Sequence, residues 1–119
     1  MLSIKKNYEF ARVYKKGRNY VGKVLILYVL RNQACKDAEY NCIGITTSKK
    51  TGKSVKRNRL KRLVRENYRY YESFLLTGYY LVFVLRSVDF MPDFWTISKE
   101  MKYLLRKANI LDNEKWSKR

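Results

Sequence analysis

The spacing of apolar positions switches between a helical and an extended rhythm along this chain, and the switches mark its elements. Phe10 and Tyr14 lie four apart with Val13 beside them, so the three share one face of a helix predicted over Ile4–Lys16. Ser3 is placed to cap that helix and Gly17 to stop it. Lys23–Leu30 contains VLILYVL, apolar on both faces, and reads as a central strand with Tyr28 on one side. Residues 31–40 form a polar connection. Tyr40–Thr47 reads as a second strand, expected to form a hairpin with the first, and Gly44 within it marks a bulge or a close approach.

Thr51-Gly52 then interrupts the chain, and Ser54 is a suitable cap for a helix running to about Phe74. Leu60, Leu63, Val64, Asn67, Tyr71, Phe74 and Leu75 recur at three- and four-residue intervals, which makes one buried stripe. Gly78 ends that unit. Tyr79–Leu85 (YYLVFVL) is a third strand. Pro92 and Asp93 open a last helix with Phe94, Ile97, Met101, Leu104, Leu105 and Ala108 inward. From Asp112 the chain turns polar and is expected to fray. The predicted order is α-β-β-α-β-α, a sheet with helices against it: a single-domain α+β sandwich over 1–119 with its folded core at about 3–110. No repeat, linker or low-complexity segment is visible.

Charge changes the picture. The 119 residues carry a net charge of +17, while 46% hydrophobic and 15% aromatic content is enough for a packed core and too much for a disordered basic tail. A polyanionic partner is implied: RNA, DNA or an anionic membrane surface. The charge concentrates at one place. Between Lys49 and Arg65, nine of seventeen residues are Lys or Arg and none is acidic. At about 3.6 residues per turn, Asn58, Arg62, Arg65 and Arg69 share one face roughly opposite Leu60 and Tyr71. Lys61 flanks the row, Arg57 and Arg59 project near the first turn, and Lys49, Lys50 and Lys53 precede the helix. Cations at a helix N-terminus oppose the macrodipole, and like charges four apart repel. An anion docking there relieves both. Ordinary solvated faces mix signs, and this one has no acid before Glu66. Aromatic rings beside cations also suit the stacking of unpaired bases, although tyrosines more commonly sit half-buried with the hydroxyl in water.

Several function classes drop out. A phosphate-binding P-loop needs a glycine five residues before Gly52, where Thr47 stands. A membrane-surface helix needs free apolar residues, and here the apolar stripe is required by the sheet. A helix-turn-helix needs a short helix leading into the basic one, and a strand precedes it. RNA is left as the best partner. Cleavage by protein side chains is disfavoured, because there is no histidine and Glu66, Glu72 and Asp89 do not form a metal-binding set. Cys35 and Cys42 are too few for a disulfide framework and are expected to be reduced thiols. MLSIKKNYEF is no signal peptide, and the longest apolar run is too short to span a bilayer.

The stretch Lys56-Arg57-Asn58-Arg59-Leu60-Lys61-Arg62-Leu63-Val64-Arg65-Glu66, preceded by Ser48-Lys49-Lys50-Thr51-Gly52, closely resembles the signature of the bacterial ribonuclease P protein subunit. Phe10, Val13, Tyr14, Lys15 and Gly17 match an upstream pattern of that family, as does Tyr28, and the resemblance runs from about residue 3 to 110. Lys53 and Ser54 depart from it, standing where the family often has Asn and Ala; the first adds charge and the second is a better cap. The resemblance implies the same α-β-β-α-β-α fold with a left-handed β-α-β crossover, against the usual hand. It also implies a protein that joins a catalytic RNA and helps remove the 5′ leader of precursor tRNA, by phosphodiester hydrolysis with Mg²⁺ bound mainly by the RNA. No catalytic or metal-binding side chain is expected on the protein. The region Arg57–Arg65 is implied to contact the catalytic RNA; with the adjoining cations the expected surface is Lys49, Lys50, Lys53, Lys56, Arg57, Asn58, Arg59, Lys61, Arg62, Arg65 and Arg69. Phe10, Tyr14 and Tyr28 are implied to line a cleft for the single-stranded leader, with core packing the alternative role for Phe10 and Val13. A cytoplasmic location, no membrane contact and no protein partner are expected. The rival readings are a general RNA-binding or ribosome-associated protein with no role in cleavage, and a membrane-surface protein.

Overall fold

Five strands, β1 (Leu2–Ser3), β2 (Arg18–Val21), β3 (Leu25–Arg31), β4 (Cys42–Thr47) and β5 (Tyr79–Leu85), form one sheet in the order β1-β4-β5-β3-β2. Four helices accompany them: α1 (Asn7–Lys16), α2 (Ser54–Tyr71), α3 (Phe94–Lys107) and α4 (Asn113–Ser117). This computed structural model describes residues 2–31 and 40–119, so Cys35 and most of the polar 31–40 connection lie outside the described residues.

The apolar run YYLVFVL decides the topology. Side chains alternate along β5, so Leu81, Phe83 and Leu85 enter one core while Tyr80, Val82 and Val84 enter another. A strand apolar on both faces is stable only where both faces are covered and both edges paired. Accordingly β5 takes the centre, antiparallel to β3 from Leu25↔Leu85 to Arg31↔Tyr79 and parallel to β4 from Cys42↔Tyr80 to Thr47↔Leu85. The hairpin expected between β3 and β4 therefore does not form, because β5 lies between them. α2 is the crossover joining the parallel pair β4 and β5.

On one face, Leu60, Val64 and Tyr68 of α2 and Ile97, Met101, Leu104 and Leu105 of α3 pack on Leu25, Leu27, Ile43, Leu81 and Phe83. On the other, Val13 of α1 and Ile4 meet Tyr80 and Val82, with Phe10 and Tyr28 partly buried against them. Removing each such large side chain from water contributes about 1.5–3 kcal/mol. Tyr68 belongs to the α2 stripe, four residues after Val64, and is 1% exposed against Phe83. Burial, reinforced by the negative charge of Glu72, pushes its hydroxyl well above the usual tyrosine range and outweighs a hydrogen bond from Asn41.

Four boundaries differ from expectation. Ser3 does not cap α1: it pairs with Ile43 in β1, and α1 begins three residues after Ile4 without a side-chain cap. The apolar Ile4 is held instead in the sheet, its N–H donating to the Ile43 carbonyl at 2.8 Å. Ser54 is the first helical residue of α2, with Lys53 in the cap position. β2 has little apolar patterning and is mostly exposed; its antiparallel pairing with β3 makes it a strand. The polar tail contains the short helix α4. The Asp112 carboxylate accepts the N–H groups of Glu114 and Lys115, and the Trp116 ring stacks on Tyr71 at 5.9 Å and meets Phe74 at 5.2 Å. α3 starts as expected, its first turn capped by the Asp93 carboxylate, which accepts the Thr96 N–H at 2.8 Å and is held below the usual carboxylate range by that bond.

One carboxylate ties α3 to the sheet. Glu100 Oε1 accepts the N–H groups of both Val24 and Leu25, at 2.6 and 2.7 Å, at the start of β3. Removing a charged acceptor strands two donors beside the core. Glu100→Ala is expected to lower the unfolding free energy by about 2–3 kcal/mol, with Glu100→Gln intermediate, read from urea denaturation midpoints.

Candidate nucleic-acid interface

The stripe that anchors α2 also sorts its cations. With Leu60, Val64, Asn67, Tyr68 and Tyr71 buried, the residues Asn58, Arg59, Arg62, Arg65 and Arg69 are left exposed, and Lys56, Arg57 and Lys61 are half-buried. Lys50 and Lys53 are exposed in the approach to the helix, and Lys49 opens the 3-10 turn Lys49–Thr51. Glu66 lies 3.4 Å from Arg62, but with side chains 78% and 45% exposed this pair is worth little against its neighbours. No acidic residue stands in the first turn of α2 to oppose the dipole mismatch.

The approach to α2 holds polar groups that the charge pattern did not reveal. The hydroxyls of Thr47 and Thr51 and the Nε of Arg57 are buried without a hydrogen-bond partner among the described residues. Arg57 is folded back, its Nη2 donating to Ser54 Oγ at 3.1 Å. Ser87 Oγ donates to the Lys50 carbonyl at 2.9 Å and fastens the turn to the segment after β5. Gly52 has a φ of +135° and faces the Lys56 side chain, so this bend favours glycine. Threonines at a strand end carry no distinctive pattern; only the three-dimensional accounting of hydrogen bonds singles them out.

On the opposite face of the sheet the three predicted cleft residues converge. Tyr28, Val82 and Gly44 are in register across β3, β5 and β4, forming one row. α1 lies over that row. The Tyr14 ring meets Tyr28 edge-on at 4.9 Å and shares a 3.1 Å hydrogen bond with Thr46 Oγ1. Phe10 sits over Gly44, where an added Cβ would collide with the ring. Gly44 is thus a close approach, and the unbroken β4–β5 register rules out a bulge there. Val13 is fully buried and is core; Phe10 is half-buried and serves both core and cleft; Tyr14, 40% exposed, presents the most accessible ring.

The two surfaces meet. β1 pairs only with Cys42 and Ile43, leaving the rest of that β4 edge without a strand among the described residues. A hollow of about 150 Å³ opens there, lined by Phe10, Gly44 and Ile45 from one side and by Lys61 and Arg65 of α2 from the other. Gly44 at the end of the sheet row and the α2 cations Lys61 and Arg65 thus line one hollow.

A small α+β domain with a strongly basic helix and an adjoining aromatic cleft has the features of a nucleic-acid-binding protein. The chain belongs to the bacterial ribonuclease P protein family: the family's sequence profile, Ribonuclease P, matches residues 2–109. The ribonuclease P protein component of Clostridium perfringens is 46% identical over 118 residues, covering 97% of this chain and 94% of that protein. That of Clostridium beijerinckii is 37% identical, covering 93% and 91%. Among solved structures, the Staphylococcus aureus RNase P protein superposes with a TM-score of 0.82 at 30% identity, over 93% of this chain and 98% of that one. The Thermotoga maritima protein superposes with a TM-score of 0.77 at 27% identity, over 90% and 97%. The chain is accordingly a subunit of a ribonuclease ribonucleoprotein acting in tRNA processing, with an RNA partner.

Exposed arginines that contact phosphate release counterions. Arg62→Ala and Arg65→Ala are each expected to flatten the plot of log binding constant against log salt for the RNA partner by about one unit of slope, without changing the far-ultraviolet circular dichroism. Filter binding between low and moderate salt measures it.

Proposed function

We propose that this subunit carries no catalytic side chain and acts by charge and position. The catalytic RNA lies along α2, in contact with Arg59, Arg62, Arg65 and Arg69 and with the lysines that precede the helix. The 5′ leader of precursor tRNA enters the cleft between α1 and the sheet and stacks on Tyr14 and Tyr28. Stacking contributes on the order of 1–3 kcal/mol per base and accepts any sequence, which suits a subunit that serves many leaders. The observation that carries this reading is the hollow at the β4 edge, where Phe10 and Gly44 share one lining with Lys61 and Arg65.

Mg²⁺ held by the RNA would supply an activated water and stabilise the leaving oxygen. The chain itself offers few metal donors, with ten carboxylates against 27 Lys and Arg and no histidine. By neutralising phosphates of both RNAs the protein lowers the Mg²⁺ needed to bring them together. The buried hydroxyls of Thr47 and Thr51 gain partners when a phosphate docks at the start of α2. The complex works in the cytoplasm.

The experiment is reconstitution with a bacterial ribonuclease P RNA at low Mg²⁺. Adding the protein is expected to restore cleavage of a precursor tRNA and to tighten binding of a precursor with a leader of several nucleotides far more than one with a single-nucleotide leader. Cleavage that is unaffected by the protein favours a general RNA-binding protein; equal tightening of both precursors removes the leader from the cleft.

A further inference from the structure

On the side of α2 remote from α1, a second aromatic site lies between α2, α3 and α4. A cavity of about 460 Å³ is lined there by Asn67 and Tyr70 of α2, Phe94, Trp95 and Lys102 of α3, and Trp116 of α4. It shares no residue with the cleft beside α1 or with the hollow at β4. Trp95 is 72% exposed and Tyr70 57%, so two broad rings stand in water at its mouth. At its other end the Lys102 ammonium lies 4.9 Å and the Arg119 guanidinium 4.0 Å from the Trp116 ring centre.

The decisive group is Asn67. It is 1% exposed, and its Nδ2 donates to the carbonyls of Leu63 at 3.0 Å and Phe94 at 3.3 Å. Two carbonyl partners fix the orientation of the amide. Its Oδ1 is therefore an acceptor, buried in the lining and without a partner among the described residues. A buried acceptor without a donor is costly, and an occupant that parts the side chains covering Oδ1 and supplies an N–H relieves that cost. The occupant must be flat enough to stack on indole and phenol rings, carry an N–H on its edge, and carry negative charge beside Lys102 and Arg119. A lipid tail has no donor. A second copy of the chain brings another +17 of charge against this one. An unpaired nucleobase on its phosphate meets all three demands.

We propose that the cavity between α2, α3 and α4 takes an unpaired base of an RNA strand, its N–H meeting Asn67 Oδ1 and its phosphate lying against Lys102 and Arg119. This is a third contact, separate from the basic face of α2 and from the cleft beside α1, and it rests on the reading that the partner is RNA. It extends RNA contact around α2 to both of its flanks.

The chain has two tryptophans, and both line this cavity, so tryptophan emission reports this site alone. The full chain is titrated with a six-nucleotide single-stranded RNA carrying a terminal dye, and with an abasic ribose-phosphate chain of the same length. Dye anisotropy follows binding anywhere on the protein. The expected result is saturable quenching by the RNA, little or none by the abasic chain, and unchanged quenching in Tyr14→Ala. In Trp95→Ala, with Trp116 left as reporter, half-quenching is expected to need about five- to hundredfold more RNA. RNA that binds by anisotropy without quenching overturns this site and leaves the basic face of α2 standing. Equal quenching by the abasic chain overturns it as well, since phosphate alone would then suffice. Emission that changes with protein concentration in the absence of RNA assigns the cavity to a second copy and overturns it too. Absence of binding by both readouts contradicts the RNA-partner reading itself.

Discussion

Burial of Leu60, Val64, Tyr68 and Tyr71 beneath α2 is what lets this helix exist with cations on its outer face. Each of those side chains contributes about 1.5–3 kcal/mol on leaving water, whereas each like-charge pair four residues apart costs a few tenths. The apolar stripe therefore wins, and the helix forms with its charge repulsion unrelieved. The consequence is a rigid, predominantly cationic surface whose electrostatic energy falls when anionic chains lie on it. A flexible basic tail would carry the same charge, but it would lose conformational entropy on binding and hold no fixed register.

The same stripe sets the sheet, and the sheet sets the cleft. α2 returns the chain to β5 parallel to β4, and β5 then brings Tyr28, Val82 and Gly44 into one row. Glycine at the end of the row lets the Phe10 ring lie on the backbone, which lowers α1 until Tyr14 reaches Tyr28 and Thr46. Packing on one face and stacking on the other thus share β5. At the open edge of β4 the two faces come together, and Arg65 and Phe10 line one hollow although they belong to opposite layers.

Much of this was legible in the sequence because it depends on local period. The α2 and α3 stripes and the strand Tyr79–Leu85 follow from spacing alone, and the convergence of Phe10, Tyr14 and Tyr28 was implied by resemblance to a family. Strand adjacency was not legible, because the preference of β5 for the centre is a property of the whole sheet. β1 and β2 are edge strands too short or too exposed to show alternation. α4 hangs on one ring, Trp116, in an otherwise polar tail, and the buried hydroxyls of Thr47 and Thr51 are conspicuous only once their surroundings are known.

With its like charges unrelieved, α2 is held in tension, and an anion that docks on the helix would release it. This release is tested most directly by thermal unfolding of the free chain in phosphate and in chloride at matched ionic strength. Specific docking on the helix predicts a midpoint that climbs with phosphate by on the order of 5–10 °C at about 100 times its dissociation constant. Superimposable curves in the two salts would leave only general screening and contradict the account.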